Sequence, residues 1–462
     1  MKIIVNAASA GSGKTFNSKN VIRLKDKEKF LVIVPSINLA NEYADVGTVI
    51  HSENATDSVS AEVFANLDKR VIIITHKAFL LNKFKHVICG QRHIIQDEEM
   101  TVYSQFDIRL KIHLPWKDMF TYTPSGRWFK LTPNLKPLAI YLADADTMDN
   151  TEVINQVLHT PQVIYILSDD LETAQTAYQY ISPDIFNKSK SITLNSANFK
   201  NLMQYHIWKN MFGVEFEFAR EFVKYDAPNL QFYNAEQKYN SITYNKDHED
   251  IRAQVISFTQ KIVTTNPLIY VDNNNFKKVE IPNWTRIKHN AHGLNAFSQV
   301  EHIAFLSAIN LNNTLISYIT EHVEITADQL RNATLGEMAH QIIMRGSLRN
   351  GRNTDRNNKC NVFLMEKMLT WYLMSEVFNC PMNISIPNTE REEKSITRIT
   401  QADTNKALAI RNMFPEKYIT PKKYSVHELM ALSIWNFTSA RGKILKHLSE
   451  FWDAQGEAKW YS

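Results

Sequence analysis

A β-rich start that runs directly into a glycine-rich turn and a lysine constrains this chain more than any other feature. Ile3-Ile4-Val5 opens the run, and residues 6–16 read N-A-A-S-A-G-S-G-K-T-F. The stretch fits a known pattern: Ala or Gly, four residues of any kind, Gly-Lys, then Ser or Thr. Ala8 stands first and Gly13-Lys14-Thr15 last. A strand feeding such a turn implies a phosphate-binding loop at a helix N-terminus, and so an α/β fold that holds a nucleoside triphosphate. Gly11 and Gly13 let the backbone N–H groups of Ala10, Gly11, Ser12 and Gly13 curl around phosphate oxygens, where the helix dipole favours negative charge. Lys14 is expected to reach the terminal phosphates, and the Thr15 hydroxyl to ligate Mg²⁺. ATP and Mg²⁺ are therefore the expected ligands.

The chain has 462 residues, enough for two or three domains with separate cores. Its 44% hydrophobic and 22% charged content is that of a soluble globular protein. Only three cysteines occur, Cys89, Cys360 and Cys380, without metal-type spacing, which suits a reducing, cytoplasmic setting and not a disulfide framework. No apolar stretch approaches membrane-spanning length, and the N-terminal apolar run is too short for a signal peptide. A net charge of +4 permits a nucleic-acid partner without requiring one.

Short β-rich runs at 2–5, 30–35, 71–75, 93–96 and 138–142 alternate with helix-compatible segments. Continuous apolar strands separated by helices indicate a parallel sheet covered on both faces. Residues 151–247 are rich in Tyr, Phe and Asn and lack this alternation. A second α/β unit follows, with a helix over 251–263 and strands at 268–271, 287–289, 302–306 and 361–365. Further helices are expected over 338–349 and leading up to Phe378, and amphipathic runs recur at 426–435 and 440–452. The expected architecture is two RecA-like parallel-sheet domains in tandem: 1–165, then a connector or insertion over 166–245, then 246–380. A helical C-terminal segment, 381–462, completes it.

Two further clusters carry chemistry. His93–Met100 reads H-I-I-Q-D-E-E-M, an apolar strand ending in acids. Beside a phosphate loop, Asp97 is expected to hold Mg²⁺ and Glu98 to orient the attacking water as general base. The second cluster is Gln341, Arg345 and Arg349, spaced four apart so that they share one face of a helix. Arginines aimed across a cleft would stabilise charge developing on the γ-phosphoryl group.

Taken in order, the phosphate loop, the Asp-Glu-Glu-Met box and the Gln-x-x-x-Arg-x-x-x-Arg run resemble superfamily 2 (DExD/H-type) helicases, and phage or viral members more than cellular DEAD-box proteins. The resemblance implies a nucleic-acid-dependent ATPase in which Gln341, Arg345 and Arg349 complete the active site from the second domain. Val32-Ile33-Val34-Pro35-Ser36 and Ile72-Ile73-Ile74-Thr75-His76 resemble elements that grip the nucleic-acid backbone, implying contacts from Pro35, Ser36, Thr75 and His76. Leu142–Thr147 occupies the place of the Ser-Ala-Thr motif, which couples hydrolysis to domain movement. Leu268–Asp272 resembles motif IV, and His289–Asn295 resembles motif V, with Gly293 expected to sense nucleotide. Departures from the family pattern are Met344 where a glycine is usual, an arginine one residue late at 349, and no glutamine motif before the phosphate loop.

The implied partner is nucleic acid, DNA ahead of RNA, with replication or recombination proteins as further partners and no membrane. A viral source would place the chain in the host cytoplasm. Two alternatives share the phosphate loop and acidic box: a DNA-packaging motor ATPase and a switch NTPase that does not translocate. Aromatic residues between the domains, Trp208, Phe212 and Tyr225, fit core packing better than base stacking.

Overall fold

The runs F-L-V-I-V, V-I-I-I-T and H-I-I-Q-D are centred on apolar, mostly β-branched residues, and each forms a strand buried on both faces. They are β2 (Phe30–Val34), β4 (Val71–Thr75) and β5 (His93–Asp97) of a seven-stranded sheet. The other members are β1 (Lys2–Asn6), β3 (Thr48–Ile50), β11 (Ser191–Asn195) and β12 (Glu215–Arg220). The order is β12-β1-β11-β5-β2-β4-β3, and every pair is parallel. The computed structural model describes residues 2–389, apart from 57, 83, 108–115, 127, 144–156, 167–175, 241–248, 275, 277, 290–295, 310, 312, 351–359 and 381.

A second, six-stranded sheet is also wholly parallel, in the order β16-β15-β17-β18-β14-β20. Its strands are β14 (Leu230–Ala235), β15 (Leu268–Val271), β16 (Trp284–Arg286), β17 (His302–Phe305), β18 (Cys360–Leu364) and β20 (Met382–Ile386). The two sheets define two RecA-like lobes, and both lie within one compact unit spanning Met1–Thr389. Between β12 and β14 the connecting chain forms β13 (Tyr225–Asp226), which pairs with β19 (Phe378–Asn379) of the second lobe.

Three departures from the sequence reading change the architecture. Residues 138–142 are not a strand but lie in the helix Leu135–Ala143; a short apolar run is compatible with either, and here Leu138 turns one helical face inward. Residues 166–245 are not a connector. They contribute strands to the first sheet (β11, β12) and to the second (β14). The insertion begins earlier, at residue 103, and takes in only the first part of 166–245, as far as residue 181. Strands β6 (Tyr103–Asp107), β7 (Phe120–Ser125), β8 (Trp128–Pro133), β9 (Gln162–Ile166) and β10 (Thr176–Ile181) form an antiparallel sheet of order β6-β10-β9-β8-β7, threaded between β5 and β11. Thirdly, the region after 380 opens with the edge strand β20, not a helix; Met-Asn-Ile-Ser-Ile has the period of two that a strand requires. The runs at 426–435 and 440–452 lie outside the described residues.

The second-lobe helix Asn313–Val323 packs on the inserted sheet through Tyr318. Its ring lies 4.7 Å from Trp128, 4.3 Å from Tyr178 and 5.1 Å from Tyr180, centroid to centroid. The Tyr318 hydroxyl donates to the Tyr178 carbonyl at 3.1 Å, and the Trp128 indole N–H donates to Glu321 at 2.7 Å. Truncating a fully buried aromatic leaves a cavity and removes these ring contacts, so Tyr318→Ala is expected to cost about 3–5 kcal/mol. Tyr318→Phe, which loses one hydrogen bond, should cost about 1 kcal/mol. Urea-midpoint shifts measure both, and equal shifts would show that the ring contributes nothing beyond its hydroxyl. Among the described residues, no helix is long and apolar enough to cross a membrane.

Candidate functional site

The phosphate loop leaves β1 at Asn6 and enters α1 (Lys14–Leu24) through Gly13, the residue before its first turn. Gly11 (φ 77°) and Gly13 (φ 78°) both adopt left-handed backbone that a side chain would strain, which is why glycine stands at these points. Lys14 is buried, and its ammonium donates to the carbonyls of Ala8 (2.7 Å) and Ser9 (3.1 Å). The lysine is thus folded over its own loop, beside the ground a phosphate would take.

At the end of β5, Asp97 is buried. Its Oδ2 accepts from the Thr15 hydroxyl at 2.8 Å and from the Tyr43 hydroxyl at 2.8 Å. Burial, aided by the neighbouring Glu98 charge, pushes the Asp97 carboxyl up to about 6. Glu98 follows with φ 70°, an uncommon backbone for a glutamate, and its N–H donates to the Asn195 carbonyl at 2.8 Å. Strain of this kind is held only where the surroundings over-determine it, and here β11 does so. Glu99 turns away from the cleft: its carboxylate accepts from the Gln204 N–H at 2.9 Å, and burial pushes it up to about 8.

Across from this wall stands the helix Glu337–Ile343 of the second lobe. Lys14, Thr15, Asp97, Glu98, Gln341 and Arg345 line one cleft of about 560 Å³, together with Gly11, Gly13, Glu337 and His340. The expected single helix face for 341, 345 and 349 does not form. The helix ends at Ile343, and Arg345 sits on the following turn, its N–H bonded to the Ile342 carbonyl at 3.0 Å. The cause is local. A Cβ on Gly346 would meet the Val300 carbonyl oxygen at 2.7 Å, so glycine lets the chain press against that segment and leave the helix. Arg349 lies in the turn Ser347–Asn350, and its side chain is outside the described residues, as is Gly293.

The expected nucleic-acid contacts, Pro35, Ser36, Thr75 and His76, lie at the carboxyl ends of β2 and β4, on the same edge of the sheet as Asp97. Ser36 and Thr75 have a structural task there. Their side chains cap α2 (Ile37–Glu42) and the helix His76–Leu81 by accepting from the N–H groups of Leu39 (3.3 Å) and Ala78 (3.2 Å). Of 142–147, Leu142 and Ala143 end a helix on the inserted sheet, and the rest lies outside the described residues. The place beside β5 at the strand ends belongs instead to Asn195-Ser196-Ala197-Asn198, which begins with the last residue of β11. Ala197 lines the cleft, and Asn195 donates to the Ser18 hydroxyl at 2.8 Å. The signal for this segment was a Ser-Ala pair after a short strand, at a distance the inserted sheet disguised. Tyr43, the second donor to Asp97, has no motif to betray it.

Other sequence candidates are structural. Asp272, at the end of β15, forms an ion pair with Arg252. Trp208 is fully buried, its indole N–H donating to the Ile181 carbonyl at 3.0 Å, and Phe212 packs against the same core.

No family model matches the sequence, and neither does any curated protein. Among solved structures, the chain is similar to an apo XPD, with 14% identity, coverage of 83% of this chain and 97% of that one, and a TM-score of 0.45. It is similar to S. tokodaii Xpd4, with 10% identity, coverage of 82% and 95%, and a TM-score of 0.43. The helicase domain of Pyrococcus furiosus Hef gives 8% identity, coverage of 81% and 94%, and a TM-score of 0.35.

Proposed function

We propose that this chain is an ATP-hydrolysing motor of helicase type, driven through nucleic acid by the opening and closing of its two lobes. One observation carries the reading: Gln341 and Arg345 of the second lobe face Lys14, Thr15, Asp97 and Glu98 of the first across a single cleft. That combination of groups suits phosphoryl transfer to water.

The Thr15 hydroxyl and Asp97 carboxylate converge within 2.8 Å, an all-oxygen donor set that fits Mg²⁺. Bound there with ATP, the ion would neutralise charge on the phosphate oxygens. The chain's own residues do the rest. Backbone N–H groups of Gly11, Gly13, Lys14 and Thr15 cradle the phosphates, while those of Ala10 and Ser12, expected to join them, are taken by the Tyr225 hydroxyl and the Ser9 carbonyl. Lys14 exchanges the Ala8 and Ser9 carbonyls for phosphate oxygens. Glu98 orients a water and takes its proton as the oxygen bonds to the γ-phosphorus and the bond to ADP breaks. Arg345 stabilises the charge that spreads over the transferring group. Hydrolysis removes the γ-phosphate contact that favours closure, so the lobes part.

Contacts along the rim at Pro35, Ser36, Thr75 and His76 would track the nucleic-acid backbone, with little preference for base sequence. DNA is the proposed track. ATP turnover measured in parallel with single-stranded DNA, duplex DNA and RNA tests this, with stimulation by DNA expected. Stimulation by RNA alone would reassign the track. Turnover indifferent to all three would point to a switch NTPase, and metal-dependent DNA cleavage to a packaging motor. Glu98→Gln is expected to slow hydrolysis by about 10²-fold or more while ATP stays bound. Normal single-turnover rates in that variant would remove Glu98 as the base.

A further inference from the structure

A chain of polar side chains, half-buried at Tyr225 and buried beyond it, runs from the phosphate loop, through the connection between the lobes, to the segment behind Glu98. It begins at the Ala10 N–H, which donates to the Tyr225 hydroxyl, while the Ser9 hydroxyl donates to the Val223 carbonyl at 2.8 Å. Tyr225 lies on β13, in the stretch joining β12 of the first sheet to β14 of the second. Its hydroxyl is 3.4 Å from His340 Nε2, and His340 Nδ1 is 2.9 Å from the Glu337 carboxylate. The other oxygen of Glu337 accepts from the Tyr372 hydroxyl and from the Asn198 side-chain amide. Asn198 closes the run, three residues past the Asn195 carbonyl that holds the Glu98 N–H.

Burial makes these contacts consequential. Glu337 is 4% exposed, His340 1%, Asn198 4% and Tyr372 1%. One proton assignment satisfies every member: Tyr225 accepts from Ala10 and donates to His340 Nε2, and His340 Nδ1–H donates to Glu337. The backbone is built around the hub. A π-helical turn, Asn332–Gly336, leads directly into Glu337, and a Cβ on Gly336 would stand 2.5 Å from the Tyr372 ring. Only glycine lets that ring lie close enough to reach the carboxylate.

We propose that Glu337 and His340 are positioning residues through which the second lobe sets both the phosphate loop, by way of Tyr225, and the Glu98 segment, by way of Asn198. The proposal rests on the ATPase reading above. It adds that the two halves of the first-lobe machinery are aligned from one buried pair across the cleft, so they fall into register together when the lobes close.

Tyr225→Phe and Asn198→Ala each remove one end of the chain and keep most of the packing. The experiment measures kcat for ATP, affinity for a non-hydrolysable ATP analogue, and melting temperature in both single variants and the double. Each single variant is expected to lose about tenfold in kcat, as removal of an orienting partner typically does, with analogue affinity within about threefold. The double should be little worse than the worse single, because both changes break one unit. Full kcat in both singles overturns the proposal, and so do losses that multiply in the double or that fall on affinity alone. Lys14→Ala serves as the separate control. If it abolishes turnover while the two singles keep theirs, the positioning role fails and the ATPase reading stands. Glu337→Gln adds a direct change at the hub, and kcat unchanged in a folded Glu337→Gln protein also overturns it.

Discussion

Lys14→Ala is expected to abolish measurable ATP turnover, a loss of about 10³-fold or more, because it removes the ammonium group that the phosphate loop itself places to meet the terminal phosphates. In the structure that group is held 2.7 Å from the Ala8 carbonyl and 3.1 Å from that of Ser9, inside its own loop. Both carbonyls are poor competitors for a cation once a phosphate arrives, since a neutral dipole attracts an ammonium group less than a full negative charge does. Nucleotide affinity should fall along with turnover, as the same contact exists before and during transfer. A melting temperature close to that of the unsubstituted chain would show that the loop has kept its shape without the lysine. The backbone supports that expectation: the curl of the loop is set by Gly11 and Gly13, not by the lysine stem. Retained hydrolysis in Lys14→Ala would mean that the cleft is not where ATP is turned over.

The parts of this site that the sequence displays are those built from consecutive residues. β1, β2, β4 and β5 are visible because each is an unbroken apolar run, and the phosphate loop and Asp97-Glu98 are attached to two of them. What stays hidden depends on pairing between distant residues. His93 lies opposite Ser191 and Asp97 opposite Asn195, with an entire antiparallel sheet threaded between them. No local pattern announces that Glu98 will be held by Asn195, that Tyr43 will donate to Asp97, or that Asn198 will reach Glu337. β12 was equally hard to see. Glu-Phe-Glu-Phe-Ala-Arg is an edge strand, exposed enough that its alternation reads like any amphipathic stretch. Spacing also misleads where a helix stops early. Residues four apart share a face only while the helix continues, and the glycine at 346 ends that regime just after Ile343.

That early ending decides how Arg345 should behave when removed. A long side chain on a mobile helix end would be a weak candidate for transition-state stabilisation, because its ordering would have to occur at the moment of reaction. Arg345 sits instead on a turn pinned from both sides. Its own N–H bonds to the Ile342 carbonyl at 3.0 Å, and two residues on, the Ser347 N–H bonds to the Val300 carbonyl at 2.9 Å. Gly346 between them lies too close to Val300 and Ile303 to admit a side chain. Arg345, which lines the cleft, is therefore carried on backbone held in place by the second lobe. Arg345→Ala is expected to leave ATP binding near normal and to slow hydrolysis by about 10³-fold, the lower end of the range for arginines that complete a phosphoryl-transfer site. Arg345→Lys should recover only part of this, since an ammonium lacks the planar fork that meets two oxygens at once. Single-turnover hydrolysis alongside equilibrium binding of an ATP analogue separates the two effects. Loss of binding in step with loss of rate would make Arg345 a ground-state contact. An unchanged rate would remove the second lobe from the chemistry and leave the closing motion with nothing to complete.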